Sequence, residues 1–236
     1  MRATHPYHHG NLKSALLDAG VALIGEVGPQ AFTIREVARR AGVSHNAPYR
    51  HFRNKDELLE ALAVDGFARL TAAMRKWSGS GSTGTDRLRL CGCGYVDFAL
   101  RWPQHFLVMF DLPKDGSVGE NAFQTLLEFI VESQQEGALP KGDPHPLALM
   151  AWSLVHGIAK LAISGNLPYG SRRVLEFTEW ASAAFVNGME SLKQAADPPG
   201  ARRKRKLKQR ETTWNLTSEA ESIFRRVRFP VSRKMQ

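Results

Sequence analysis

The sequence predicts an all-α protein, and three observations lead to that prediction. Apolar residues recur at helical spacing along most of the chain, as Leu12, Leu16, Ala19 and Leu23 do near its start. Segments rich in Gly, Pro and Ser interrupt this spacing and mark connections between helices. No stretch alternates between apolar and polar residues in the way that indicates strands. We therefore expect about nine helices.

The interruptions divide the chain into three predicted segments. Residues 1–56 form a small helical unit, and residues 57–194 form a larger helical body. Within the body, the longest helices are predicted at 144–164 and 171–194. Residues 195–236 follow a Pro-Pro-Gly break and contain a block of consecutive basic residues, which is typical of a disordered tail.

The net charge of +9 is unevenly distributed. Residues 1–55 carry eight basic and three acidic side chains, and the segment from 195 carries twelve basic and four acidic ones. The region between them is therefore mildly acidic. A basic head on an acidic body indicates a polyanionic partner for the head, such as nucleic acid. The tail either adds nonspecific affinity for DNA or remains a disordered extension.

Several other classes of protein are disfavoured. The longest apolar stretch, 147–163, contains His156 and Lys160, and the N-terminus lacks the apolar core of a signal peptide, so we expect a cytoplasmic protein without a membrane partner. No phosphate-binding loop, dinucleotide fingerprint or nucleophile elbow indicates an enzyme or a cofactor. A metal sensor is a weaker alternative, because Cys91 and Cys93 lie far in sequence from His5, His8 and His9 and lack ligand spacing.

A helix-turn-helix is predicted between residues 33 and 52. Thr33 and Glu36 have the spacing of a capping box, in which each side chain accepts from the backbone N–H of the other residue. Gly42 suits the left-handed conformation that ends a helix, and Ser44 suits the cap of the next one. The second helix, predicted at 45–52, is too polar for a core helix, although Phe52 is suited to anchor it. Pro48 loosens the start of this helix or moves it towards Ala47.

The next helix begins beside a basic residue. Asn54 is predicted to cap it, with Glu57 at the third position. Lys55 lies in the first turn, where the helix dipole favours an acidic residue. That placement costs free energy unless an anion such as a DNA phosphate binds there.

The stretch from Phe32 to Leu62, FTIREVARRAGVSHNAPYRHFRNKDELLEAL, resembles the DNA-binding domain of TetR/AcrR-family regulators. The Thr33 cap, the Ala-Gly-Val-Ser turn, the Tyr-Arg-His-Phe segment and Lys55 follow in the order expected for that family. The resemblance implies that residues contacting the DNA backbone are Thr33, Ser44, Tyr49, His51 and Lys55. It implies that residues facing bases or nearby phosphates are His45, Asn46, Ala47 and Arg50.

The body is similar to the C-terminal domain of the same family in outline. Trp152, His156 and Gly157 resemble the Trp-His-Gly signature of one subgroup, and the segment from Trp102 to Phe110 also fits it. We expect an apolar effector pocket lined by Phe106, Phe110, Phe123, Trp152 and His156. These residues also fit a closed core. The last two helices are expected to form the interface of a homodimer through Ala181, Ala184, Phe185 and Gly188, although they also fit packing within one subunit.

These expectations combine into one functional hypothesis. A homodimer binds a roughly palindromic operator in double-stranded DNA as a transcriptional regulator, and a repressor is the leading form. A small apolar effector of unknown identity then weakens binding by favouring a different dimer shape.

Overall fold

A computed structural model describes residues 12–111 and 119–191. In these ranges the protein consists of eight α-helices and a short 3₁₀ helix, with no strand, and the predicted all-α fold is confirmed. The helices are α1 (Leu12–Ala31), α2 (Ile34–Arg40), the 3₁₀ helix (Ala47–Arg50), α3 (Lys55–Ser78), α4 (Gly84–Arg101), α5 (Pro103–Asp111), α6 (Glu120–Gln135), α7 (His145–Ile163) and α8 (Ser171–Ser191).

The N-terminal domain packs α1, α2, the 3₁₀ helix and the start of α3 around one core. Its largest fully buried side chains include Phe32, Phe52 and Leu16. Gly28 has φ 81° and interrupts the helical backbone of α1, so that α1 consists of two helical segments joined by a kink. Glycine tolerates this left-handed backbone because it has no Cβ.

The body is arranged around α4. This helix packs against α3, α6, α7 and α8, so it forms the centre of a helical bundle. Two glycines allow its close contacts, since a Cβ at Gly94 would lie 2.7 Å from the Ala73 carbonyl oxygen and one at Gly92 would lie 3.0 Å from the Ser182 hydroxyl. The surrounding helices enclose a second core, rich in aromatic side chains.

Two helices contribute to both cores. On α3, Leu58 and Leu62 pack in the N-terminal domain, whereas Leu70 packs in the body. On α5, Val108 belongs to the N-terminal core and Met109 to the core of the body. The predicted division between residues 56 and 57 therefore lies inside the continuous helix α3.

The last two described helices begin close to where the sequence predicts them. The Gly- and Ser-containing segments at 79–83 and 164–170 connect helices, as the sequence predicts for such segments. The end of the predicted 171–194 helix and the basic tail lie outside the described residues. By length and composition alone α7 is apolar enough to cross a membrane, a test that core helices of soluble proteins also pass.

Candidate functional site

Helix α2 is fixed at its start by its cap. Thr33 Oγ1 accepts from the backbone N–H of Glu36 at 3.3 Å. The Glu36 carboxylate accepts a hydrogen bond from the Thr33 hydroxyl at 3.0 Å. The donor therefore differs from the one predicted by the capping box, which is the Thr33 backbone N–H. The buried side chains of Ile34, Val37 and Ala38 then attach one face of α2 to the core.

A tight turn follows α2. Gly42 has φ 71°, as predicted, and the N–H of Val43 bonds back to the Ala38 carbonyl at 3.0 Å. The next element is shorter than the helix predicted at 45–52. It is the 3₁₀ helix, which begins at Ala47, as expected from the effect of Pro48, and has Asn46 rather than Ser44 at its N-cap.

Pro48 explains this difference. An α-helix starting after Ser44 needs a backbone N–H at position 48, which proline lacks. The chain instead makes three-residue bonds, such as the N–H of Ala47 to the Ser44 carbonyl at 3.0 Å. Pro48 is buried, and Phe52 is only 2% exposed, so these two side chains anchor the 3₁₀ helix to the domain.

Most of the predicted DNA-contacting side chains lie on the surface around this element. Tyr49 is 48% exposed, although a tyrosine ring commonly packs at least partly into a core. Ala47 and Lys55 are half-buried. The other members of the set are exposed: Thr33, Ser44, His45, Asn46, Arg50 and His51.

Lys55 is engaged by the protein itself. Its Nζ donates to the Gln30 carbonyl oxygen at 3.0 Å and lies 4.6 Å from the centre of the Phe32 ring. The carbonyl belongs to the short segment of α1 that follows the kink at Gly28. These contacts offset the cost of a cation in the first turn of α3.

The surrounding basic residues fall into two groups. Arg40 forms a bidentate pair with Glu26 at 2.6 Å, and its hydrogen bonds lower the pKa of the Glu26 carboxyl. Arg35, Arg39 and Arg50 are exposed, and no ion pair engages them among the described residues. Arg35, Arg39 and Arg50 therefore add unneutralised positive charge near the 3₁₀ helix, and this charge favours the binding of a polyanion.

The five residues of the predicted effector pocket form one connected aromatic cluster in the body. The Phe110 ring lies 4.9 Å from Phe106, 4.7 Å from His156 and 6.3 Å from Trp152, measured between ring centres. Phe123 extends the cluster, with its ring 6.1 Å from Trp152. Phe106 is fully buried and the other four are half-buried.

Tyr95, on α4, is a member of this cluster that the sequence prediction missed. Its hydroxyl accepts from Trp152 Nε1 at 3.1 Å and lies 2.8 Å from His156 Nδ1. Burial raises the pKa of Tyr95, which keeps the phenol protonated. Its two partners lie 61 and 57 positions away in the sequence, so local spacing carries no signal of this network.

The predicted dimer residues lie along α8. Ala181 and Phe185 line an open depression of about 510 Å³ between α7 and α8, together with Leu149, Met150, Ser153 and Leu154. Ala184 and Gly188 are exposed further along α8, whereas Ala181 is already buried within the protomer. The neighbouring surface includes Trp180, which is 67% exposed.

The thiols and possible metal ligands form no site in the described part of the chain. Cys91 and Cys93 are buried free thiols, and burial raises their pKa values to about 12 and about 11. No group of three or more His, Cys, Asp or Glu within residues 12–111 and 119–191 is arranged to hold a metal ion. His5, His8 and His9 lie outside the described residues.

Solved structures share this fold over most of the chain. A Rhodococcus sp. RHA1 protein of unknown function is 34% identical, with a TM-score of 0.68 over 79% of this chain and 99% of that one. The transcriptional regulator FadR from Bacillus subtilis, solved with stearoyl-CoA, has a TM-score of 0.66 over 74% of this chain and 98% of that one. At 17% identity, FadR supports the fold alone.

Curated relatives match the N-terminal domain. An HTH-type transcriptional repressor from Mycobacterium tuberculosis is 38% identical over 61 residues, which are 26% of this chain and 32% of that protein. The class D tetracycline repressor from Escherichia coli is 36% identical over 70 residues, 28% of this chain and 32% of that protein. The chain thus matches these relatives over about a third of their length.

Two family models match in sequence order. Residues 16–62 match the bacterial regulatory proteins of the tetR family, and residues 88–185 match the tetracyclin repressor-like C-terminal domain. The first match covers the helix-turn-helix. The second covers the aromatic cluster and α8 as far as residue 185. The chain belongs to the TetR family of bacterial regulatory proteins.

Proposed function

We propose that this protein is a dimeric transcriptional regulator that binds a specific operator sequence and is released from it by a small apolar effector. The observation that carries the proposal is the exposed polar surface of the 3₁₀ helix, held to the core by Pro48 and Phe52. We take a repressor as the form to test, since two of the relatives that match the N-terminal domain are named repressors.

The chemistry of this surface suits a DNA groove. Asn and Arg side chains bond to the edges of bases, while Ser, Thr and Tyr hydroxyls bond to phosphates. Asn46 and Arg50 are exposed at the two ends of the 3₁₀ helix, and Tyr49 lies between them. Because the buried anchors fix the backbone, binding does not require this segment to fold first.

Selection of bound sequences from a random duplex library, using the full-length protein, tests the proposal. We expect enrichment of a two-fold symmetric site. Arg50→Ala is expected to weaken binding to that site by about 1–3 kcal/mol, as for the loss of a base contact. Tyr49→Ala is expected to weaken binding by removing a phosphate contact. Lys141→Ala is the matched control, because it removes one positive charge from an exposed loop between α6 and α7.

The outcomes separate specific from nonspecific binding. The proposal is supported if a symmetric site is selected, if Lys141→Ala binds that site as the wild type does, and if Tyr49→Ala and Arg50→Ala bind it poorly. Binding without enrichment, lost as salt is raised, indicates only attraction of basic residues to phosphates and contradicts the proposal.

The dimer is proposed to form through α7 and α8 of two copies. Leu149 and Met150 are each 47% exposed beside the depression, and Trp180 is 67% exposed, so apolar surface remains uncovered on these two helices. A second copy would cover the same face on both subunits. This arrangement also accounts for the apolar composition of α7. Only 28% of the most apolar stretch of this helix is buried within one copy, so much of its apolar surface is available to a second copy.

Sedimentation of the full-length protein tests this interface. Met150→Glu is expected to convert dimer to monomer, because the charge would be buried without a partner. Val64→Glu is the control, since Val64 is similarly exposed, at 51%, but lies on α3. A monomeric wild type, or a dimer that tolerates Met150→Glu, contradicts the proposed interface.

The effector is proposed to bind at the aromatic cluster. The cluster offers apolar ring surfaces with few polar groups, which is typical of sites for apolar small molecules. A panel of aromatic and long-chain aliphatic compounds would be tested for release of the operator complex. We expect Phe110→Ala to abolish the response to any active compound without abolishing operator binding, and an unaltered response would contradict this location.

A further inference from the structure

Helix α5 lies between the two cores and packs against both the N-terminal domain and the body. Its Val108 side chain packs with α1, while its neighbour Met109 packs with the aromatic core. The contact with α1 is close, because a Cβ added at Gly25 would lie 2.5 Å from the side chain of Gln104. This contact therefore joins the N-terminal domain to the body.

Charged side chains link the same elements. Arg69 on α3 donates from Nε to Asp65 at 2.7 Å and from Nη2 to Asp18, on α1, at 3.4 Å. The Arg69 guanidinium also lies 5.4 Å from the centre of the Trp102 ring, next to the start of α5. Arg69 thus links α3 to α1 through its ion pair with Asp18.

His105 is buried beside this network with an unsatisfied ring nitrogen. Its side chain is 6% exposed, and Nε2 has no hydrogen-bond partner. The nearest acidic atom is Asp65 Oδ2 at 3.8 Å, too far for a hydrogen bond, and it is the same oxygen that Arg69 Nε binds. The Trp102 ring meets the imidazole edge to face at 5.6 Å between centres.

We propose that His105 is a positioning residue that competes with Arg69 for Asp65, so that its protonation loosens the contact between α1 and the body and weakens operator binding. The inference rests on the proposed function, since it assumes that placement of the N-terminal domain determines affinity for DNA. An imidazolium at Nε2 gains a charged hydrogen bond by moving to Asp65 Oδ2. Arg69 then loses one of the two carboxylates that hold it between α3 and α1.

The sign of the effect follows from the surroundings of the ring. Burial, and next the charge of Arg69, lower the pKa of His105, while Asp65 and Asp18 raise it. The arrangement described here therefore favours neutral His105, and it loses stability as pH falls below the ordinary value for histidine, about 6.5, and through the lowered pKa. Arg101, at the end of α4, forms its ion pair with Asp97 and not with Asp65 or Asp18.

Operator affinity as a function of pH tests the proposal. Using the full-length protein and its selected site, Kd is measured between pH 5.5 and 8 at constant ionic strength, for wild type and His105→Gln. The ratio of the two Kd values at each pH cancels every pH effect that the two proteins share. We expect acidification to weaken wild-type binding about fivefold or more relative to His105→Gln, the lower end of typical coupling between sites.

Two further variants complete the test. Asp65→Asn removes the carboxylate without touching the buried ring, and we expect it also to abolish the His105-dependent change with pH, even if His105→Gln proves unstable. His145→Gln is the control, because His145 is 42% exposed and paired with Asp143 on another part of the body. Parallel pH profiles for wild type, His105→Gln and Asp65→Asn would overturn the proposal, as would stronger wild-type binding at low pH.

A measurement without DNA keeps failure of this inference distinct from failure of the proposed function. Hydrogen exchange of the α1 amides is expected to speed up in wild type between pH 7.5 and 5.5, after correction for intrinsic exchange, and to do so less in His105→Gln. If no operator is selected but this difference is present, the proposed function fails and the pH-sensitive contact stands. Equal protection in both proteins overturns the contact itself.

Discussion

The N-terminal domain and the helical body place their polar groups in opposite locations. The N-terminal domain has a core of mainly aliphatic side chains and carries its polar residues on the outside, around the 3₁₀ helix. In the body, Tyr95, Trp152 and His156 form hydrogen bonds inside an aromatic cluster. The first arrangement suits recognition of a large polyanion from the surface, and the second suits a small molecule that enters the protein.

Truncating one phenylalanine in each domain is expected to give the largest effects. Phe52 and Phe106 are 2% and 0% exposed, so replacement of either by Ala should cost about 3–5 kcal/mol of unfolding free energy. Urea unfolding measures the cost. Below the unfolding transition, we expect Phe52→Ala to lose operator binding because it releases the 3₁₀ helix, whereas Phe106→Ala retains it. Equal loss of binding in both would show that the two cores do not act separately.

Removing one hydroxyl from the interior of the body is expected to have an intermediate effect. Tyr95→Phe deprives Trp152 Nε1 and His156 Nδ1 of their shared partner, which should cost about 1–3 kcal/mol. Tyr169→Phe is the matched control, since Tyr169 is 44% exposed, and it should change stability by less than about 0.5 kcal/mol. Chemical unfolding compares the two. Similar values would mean that the buried network contributes little.

The smallest effect is expected from the helix caps, which occur in both domains. Thr33 and Thr83 each accept from the backbone N–H three residues later, at 3.3 Å and 3.1 Å. Replacing either by Ala should cost about 1 kcal/mol. Only Thr33→Ala is expected to weaken operator binding as well, because its helix supports the 3₁₀ helix. Loss of binding in Thr83→Ala would contradict this separation.

The same contrast explains what the sequence predicts well. The Thr33 and Asn54 caps and the left-handed Gly42 depend on neighbours within a few residues, so their patterns are visible in the sequence. The helix expected at 45–52 is shorter in the structure, because the missing N–H of Pro48 has more effect than the polar pattern suggests.

Contacts in the body depend on residues far apart in sequence. Tyr95 and His156 are separated by 61 positions, and the pairing of their helices is not encoded by local spacing. The sequence predicted the aromatic members of the cluster from their residue types and the family resemblance. It gave no direct sign of the Tyr95 hydroxyl that links them, nor of the buried His105 at the contact between domains.

The continuous helix α3 has a consequence for experiments that exchange domains between regulators. Its 24 residues extend about 36 Å, and both ends are embedded in different cores. A chimera joined near residue 57 would therefore take Leu58 and Leu62, which pack in the N-terminal core, from the regulator that supplies the body. A junction in the loop between Gly79 and Thr83, after the whole of α3, would transfer the helix intact with the N-terminal domain and keep Leu58 and Leu62 with the core in which they pack.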